Sequence, residues 1–241
     1  MYSITIAIPA YNEEEKILIT LKKVFLITKK FPKSNFEIIV IDDGSTDNTF
    51  KLVSRSFSDK VKIIRNSKNI GLGESIKKGI IAATNKKFMF IPADDDLPQG
   101  IIENLITQSK FADIVMTYFL NDEIRGRLRS FLSNIFLNIY LLTFNLFLKY
   151  INGPAIYPTH ALKELKLISG KFSIIAEINT KLLLKGYSFK EIYGYRQNNL
   201  DKSTSMKFSS IYEAIKTLIL LILEIKIYSR QIYNKQPKRI F

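Results

Sequence analysis

The 241-residue sequence contains no cysteine and no tryptophan, a single histidine (His160), 7 prolines and 10 glycines. Without cysteine there is no disulfide, no zinc–thiolate cluster and no cysteine nucleophile. One histidine removes His-rich metal centres, and the Ser and Thr residues near it show no triad arrangement, so a hydrolase is not expected. Any metal must then be held by oxygen, which favours magnesium, manganese or calcium. Acid is also scarce: 22 Asp and Glu stand against 36 Lys and Arg, a net charge of +14. Such an excess suits an anionic partner such as a nucleic acid, an anionic lipid or a phosphate-bearing substrate. The lysines, however, are scattered as pairs (Lys22-Lys23, Lys29-Lys30, Lys77-Lys78, Lys86-Lys87) with no aromatic–basic or zinc-finger signature, so nucleic acid is not the expected partner. The start, SITIAIP, reads as a strand and lacks the basic region, apolar run and cleavage site of a signal peptide, so a cytoplasmic protein is expected.

With 46% hydrophobic and 24% charged residues the chain is foldable and long enough to bury a full core. Runs rich in Ile, Val and Phe at 4–8, 36–41, 61–65, 88–91 and 114–117 read as strands, and the segments 13–29, 48–57, 73–83 and 99–110 between them as helices. That alternation predicts an α/β fold, a mostly parallel sheet covered by helices on both faces, with ligands at the carboxyl ends of the strands. The distinctive polar residues fall at those ends, in 9–13, 42–47 and 94–96, so three loops converge on one crevice. Adjacent carboxylates at Asp94, Asp95 and Asp96 repel one another unless a cation or donors compensate; on an extended segment Asp94 and Asp96 point one way and Asp95 the other. The alternative is an acidic turn favoured by the dipole of the next helix. At 42–47, Gly44 permits a tight turn, Thr46 or Asp47 can cap the next helix, and a strand-tip Asp suits a ribose or base. The loop around Gly71 resembles one that brings backbone close to a ligand, while Rossmann and P-loop fingerprints are absent.

The second half changes character. Arg125, Arg127 and Arg129 precede 131–148, 18 uncharged residues of which 13 are Phe, Leu, Ile or Tyr. The run is slightly short for a membrane span. Asn134, Asn138 and Asn145 align on one side at helical spacing, so 127–149 is expected to be an interfacial or half-buried helix with a basic collar. A core helix with internally bonded asparagines is the competing expectation. Residues 174–185 read as helix, 187–195 as strand, and 211–228 as an amphipathic helix before a loose basic tail at 230–239. The change of character divides the chain into an expected 1–118, an expected 119–205 that includes the helix 127–149, and 206–241 for the C-terminal helix and tail. Exposed apolar helices could also pair with a second copy or a membrane partner protein.

IPAYNEEE (8–15), VIDDGSTDNT (40–49), NIGLGESIKKGI (69–80) and PADDD (92–96) stand in the order seen in family-2 glycosyltransferases. The chain resembles that family over its first 100 residues. The resemblance implies a GT-A fold, inverting chemistry, a nucleotide-sugar donor and Mg²⁺ or Mn²⁺. It places Pro9, Tyr11 and Glu13 in the nucleotide pocket, Asp43 on base or ribose, and Asp94 and Asp96 on the diphosphate-bound metal; Asp42, Gly71 and Asp95 are assigned to the same pocket. The second half is similar to the dolichyl- or polyprenyl-phosphate branch in Arg129 with Ser133-Asn134, in Glu177 with Lys185-Gly186-Tyr187, and in Tyr195-Arg196 with Ser203. Pro92 stands where that branch has an Asp.

Two acceptors imply two roles for Glu177. A sugar hydroxyl must lose a proton, which requires a general base, and Glu177 would be it. A lipid phosphate is already anionic and needs only positioning, by Arg129 and Arg196, with Arg125, Arg127, Ser133 and Ser203 assigned to the acceptor and Glu177 orienting a substrate. The expected function is therefore transfer from a nucleotide-sugar to polyprenyl phosphate by a peripheral membrane protein on the cytoplasmic face. A glycan hydroxyl acceptor and an inactive GT-A scaffold are the alternatives.

Overall fold

The computed structural model describes residues 1–121, 126–196 and 208–241, without the side chains of 127–129 and 208–210. The strands are β1 (Ser3–Ala10), β2 (Asn35–Asp42), β3 (Lys62–Arg65), β4 (Lys87–Phe90), β5 (Ile114–Phe119), β6 (Ala155–Pro158) and β7 (Phe189–Gly194). The helices are α1 (Ile17–Lys29), α2 (Thr49–Phe57), α3 (Leu72–Ala82), α4 (Gln99–Gln108), α5 (Arg127–Phe144), α6 (Thr159–Lys163), α7 (Ile174–Leu184) and α8 (Phe208–Ile222), the last running into a π-helical stretch, Leu223–Tyr228. They form one seven-stranded sheet in the order β3-β2-β1-β4-β6-β5-β7. Pairing is parallel except where β6 runs antiparallel to both β4 and β5. The remaining six strands therefore point the same way, and their carboxyl ends share one edge of the sheet.

The central strands are buried on both faces, and the period of two sorts their side chains. Ile4, Ile6 and Ile8 of β1 join Leu21, Val24, Ile102 and Leu105 beneath α1, α2 and α4. Ala7 of β1 and Ile39 and Ile41 of β2 face the other way, onto Ile76, Ile80, Leu182, Leu183, Tyr140 and Leu221 of α3, α7, α5 and α8. Two cores thus sandwich the sheet, and the strands and helices expected in the first half are present with their ends shifted by up to four residues.

Several expectations are corrected. The strand β6 was not foreseen: Ala-Ile-Tyr-Pro is too short to show a period, yet it sits near the middle of the sheet. The helix expected over 127–149 stops at Phe144, where Asn145 takes a left-handed conformation at φ 51°. The tail is not loose. The amide of Phe189 donates to the Lys238 carbonyl and that of Ile240 to the Phe189 carbonyl, while Arg239 pairs with Glu191 at 2.8 Å, so the tail lies along the β7 edge.

Both apolar helices of the second half pack on the core with one face and leave the other open. On α5, Leu137, Tyr140 and Phe144 are buried while Phe131, Ile135, Ile139 and Leu142 are exposed; on α8, Thr217 and Leu221 are buried while Ile211, Ile215 and Ile219 are exposed. The spacing of three and four residues makes each set a stripe. No helix among the described residues is long and apolar enough to cross a membrane.

Candidate functional site

The β1–α1 and β2–α2 loops are stitched together at the common carboxyl edge. The amide of Asn12 donates to Ser45 Oγ (3.0 Å), that of Glu13 to Thr49 Oγ1 (2.8 Å) and that of Glu14 to Asp47 Oδ2 (3.1 Å). In return Asn12 Oδ1 accepts from the Thr46 amide (2.9 Å), which Asn12 reaches from a left-handed φ of 55°. Asp47 Oδ1 accepts the amide of Thr49, the first residue of α2, but the N-cap position is Asn48, whose side chain makes no capping bond, so neither Thr46 nor Asp47 is the cap that the sequence suggested. Within this frame Pro9 is buried, Glu13 is half-buried and Tyr11 is exposed over the crevice.

Asp42 and Asp43 are adjacent but do different work. Asp42 Oδ1 accepts the Ser45 amide (3.1 Å) and Oδ2 pairs with Arg65 (3.1 Å), which ties β2 to β3. Asp43 is 4% exposed; its Oδ1 accepts from Asn66 Nδ2 (2.8 Å) and the Ile70 amide (3.0 Å), and its Oδ2 from the Gly71 amide (2.9 Å). Three donors on one ionised carboxylate fix the turn before α3. That turn meets the chain from its far side as well. The amides of Gly73 and Glu74 donate to the Gly170 carbonyl at 3.0 and 3.3 Å, supplying the cap that Gly71, lacking a side chain, cannot. A Cβ on Gly73 would lie 2.4 Å from the Gly170 carbonyl carbon, and Gly71 has φ +101°, so both positions require glycine.

At the end of β4 the acidic run is a turn and not an extended segment, because Asp95 has φ 60°. The alternation of side chains expected of an extended segment therefore does not apply; Lys23 of α1 pairs with the Asp95 carboxylate at 2.5 Å and also bonds the Leu97 carbonyl. Asp94 is exposed at the crevice, and Asp94 Oδ1 accepts the Asp96 amide (3.2 Å). Although Asp94 meets solvent, the protein mass packed around it pushes its carboxyl above the ordinary value, and the Asp96 carboxylate adds to the rise, against the bond from the Asp96 amide and the charge of Lys16. Two oxygen donors whose charges are poorly compensated suit a divalent cation. No group of three or more His, Cys, Asp or Glu able to hold a metal occurs among the described residues. A two-carboxylate set fits magnesium or manganese that completes its shell with phosphate oxygens.

Glu177 is closed off from solvent. It is fully buried on α7; Oε1 accepts the Ile168 amide and Oε2 the Ser169 amide, both at 2.8 Å. The equally buried Lys181 pairs with Glu177 and with Glu224 at 2.8 Å each. That placement differs from the catalytic part expected of it, since a base must reach the proton it takes. The spacing Glu177 to Lys181, four apart on a helix, was the signal that an ion pair was available. Arg196 follows β7 at the same sheet edge, stacked 3.7 Å over the Phe119 ring, with its amide on Asn121 Oδ1 (2.8 Å). Ser133 is half-buried on α5. Arg125, Ser203 and the side chains of Arg127 and Arg129 lie outside the described residues. Sequence reasoning passed over Asn12, Lys23, Asn66 and Gly170, whose parts depend on partners distant in the chain.

Residues 5–167 match the profile of glycosyl transferase family 2. The chain belongs to that family. The human dolichyl-phosphate beta-glucosyltransferase is 33% identical to this family-2 chain over 99 residues, 38% of the chain and 31% of that protein. A protein of Methanocaldococcus jannaschii is 29% identical over 231 residues, 89% of this chain and 97% of its own. The family-2 chain spans about a third of the length of the dolichyl-phosphate glucosyltransferases it matches. A glucosyl-3-phosphoglycerate synthase from Mycobacterium tuberculosis, solved with Mn²⁺, UDP and phosphoglyceric acid, matches at a TM-score of 0.66 and 17% identity over 92% of this chain and 78% of that one. The fold of the family-2 chain is accordingly GT-A, as its motifs implied.

Proposed function

We propose that this chain transfers a sugar, with inversion, from a nucleoside-diphosphate sugar to the phosphate of a polyprenyl lipid at a membrane surface. The observation that carries the choice of acceptor is the state of Glu177. Its two oxygens are engaged by backbone amides and Lys181, so the carboxylate that a hydroxyl acceptor would use as base is not at hand. A phosphate oxygen needs no base: it attacks the anomeric carbon in line as the bond to the diphosphate breaks. Asp94 and Asp96 would hold Mg²⁺ or Mn²⁺, which when bound stabilises charge on the departing diphosphate. The family-2 residues Pro9, Tyr11, Glu13, Asp42, Asp43 and Gly71 form the donor side of the crevice, with Asp43 acting through the turn at Ile70 and Gly71. Arg196, with Arg125, Arg127, Arg129, Ser133 and Ser203, is assigned to the acceptor.

Further support comes from the relatives named for dolichyl phosphate and from the open apolar stripes of α5 and α8. Laid on a bilayer, those stripes and the +14 charge give peripheral attachment. The test is to supply the purified chain with Mn²⁺, labelled nucleotide-sugars and polyprenyl phosphate in vesicles, and to count label in the organic phase. Label that appears there and is lost in Asp94→Asn bears the reading out. Nucleotide release with all sugar remaining in water, on a glycan or phosphorylated small molecule, overturns the lipid acceptor.

A further inference from the structure

Behind its contact with Gly73 and Glu74, the loop 166–173 is held at three places. Glu177 takes the amides of Ile168 and Ser169, and Lys181 binds the Lys166 carbonyl. The third hold comes from α8, some forty residues on. Glu213 Oε1 accepts Ser169 Oγ at 2.6 Å and Thr217 Oγ1 at 3.1 Å, and Oε2 accepts Ser173 Oγ at 2.9 Å. Ser169 and Ser173 are both buried and flank Gly170, the residue whose carbonyl caps α3. Between Gly170 and Gly73 no side-chain volume intervenes, so a shift of the loop passes straight into the turn at Ile70–Glu74.

We propose that Glu213 is a positioning residue of the donor site: α8, through Glu213, sets the loop that presses Gly170 onto the turn held on its other side by Asp43. This rests on the reading of the crevice as a nucleotide-sugar site. The turn is clamped between the Asp43 carboxylate, just past the end of β2, and a carbonyl braced by α8. Releasing the brace leaves the loop to Glu177 and Lys181 alone, weakens the grip of the Gly170 carbonyl on the Gly73 and Glu74 amides and loosens the backbone against which the nucleotide rests. The chemical step makes no contact with Glu213, so the effect belongs to donor binding. The outward stripe of α8, with Ile211, Ile215 and Ile219, lies on the same helix, so whatever α8 rests on also bears on the donor turn.

Four proteins test this: the native chain, Glu213→Ala, Glu213→Gln and Leu221→Ala. The last truncates a buried core residue of the same helix and controls for plain destabilisation. Amide hydrogen exchange is followed at residues 70–74, and the dissociation constants of UDP and GDP are measured with Mn²⁺. Of the three hydroxyl bonds lost in Glu213→Ala, the two from the loop, Ser169 and Ser173, should speed exchange of Gly73 and Glu74 about tenfold and weaken the nucleotide by a similar factor. Glu213→Gln should restore both, since serine hydroxyls can donate to the amide oxygen and accept from its nitrogen. Leu221→Ala should lower the melting temperature without either effect. Unchanged exchange at 70–74 in Glu213→Ala, or an equal rise in Leu221→Ala, overturns the brace whether or not nucleotide binds. A native chain that binds neither diphosphate overturns the nucleotide-sugar reading instead, and exchange alone then decides the brace.

Discussion

Replacing Asp43 by Asn separates a carboxylate that organises the protein from one reserved for a ligand. The change keeps the shape and removes the charge and one acceptor. In the better of two orientations, the amide oxygen keeps the bonds from Asn66 Nδ2 and the Ile70 amide, and the new NH₂ group faces the Gly71 amide. One charge-assisted bond is then lost, and two donors confront each other at a half-buried position. At about 1.5–3 kcal/mol for a hydrogen bond to a charged group and about 1–3 kcal/mol for a stranded buried donor, with partial relief by water, the cost is about 3 kcal/mol. For a domain of this size that lowers the melting temperature by roughly 6–12 °C. Urea unfolding of the ligand-free protein measures it directly, with the slope against denaturant unchanged. A loss below about 0.5 kcal/mol would refute the reasoning and return Asp43 to the role its motif implied, a direct contact to base or ribose.

Other outcomes follow from the same structure. Lys181→Met leaves buried Glu177 without its cation and should cost about 3–5 kcal/mol in thermal or urea unfolding; adding Glu224→Gln should then cost less than it does alone, and equal costs in both backgrounds would show that the pair does not interact. Burial alone would raise the Asp47 carboxyl, but the Thr49 hydroxyl and the amides of Thr49 and Glu14 together hold it below its ordinary 3.8. Its stabilisation, under about 1 kcal/mol for so open a group, is present above that value and lost as pH falls through the lowered one. The stability gap between native and Asp47→Asn should accordingly close in acid. Glycine replacements should have opposite signs. A Cβ at Gly153 would lie 1.8 Å from the Thr117 carbonyl oxygen, whereas at Gly100 in α4 nothing lies within 4 Å, so Gly153→Ala should fail to fold or melt far lower and Gly100→Ala should gain about 0.4–1 kcal/mol.

How far sequence alone reaches depends on the range of the interaction involved. The strands of the first half are continuous apolar runs because both sides of a parallel sheet are covered, and such runs stand out without any knowledge of partners. The convergence of Pro9–Glu13, Asp42–Asp47 and Asp94–Asp96 follows from strand direction alone. By contrast, Asp42 and Asp43 differ only through Arg65, Asn66 and the turn at Ile70, and nothing local to the pair distinguishes them. Glu177 reads as a base or a substrate-orienting acid until its helix is known to be buried along nearly its whole length. The β6 run, four residues between Pro154 and Thr159, carries no period of its own; its place is set by the gap between β4 and β5.

The position of β6 also bears on how the chain is made. β4 ends at Phe90, and β6, its partner on the open side, begins at Ala155. The intervening 64 residues take roughly 3–13 s to synthesise at ribosomal rates. Through that interval β3, β2, β1 and β4 can pair in order, but Lys87–Phe90 presents an unprotected row of amides and carbonyls along an apolar strand. Nascent chains stalled or truncated between 90 and 155 would therefore be the ones that associate edge to edge or need a chaperone, and the arrival of four residues, Ala155–Pro158, closes that exposure.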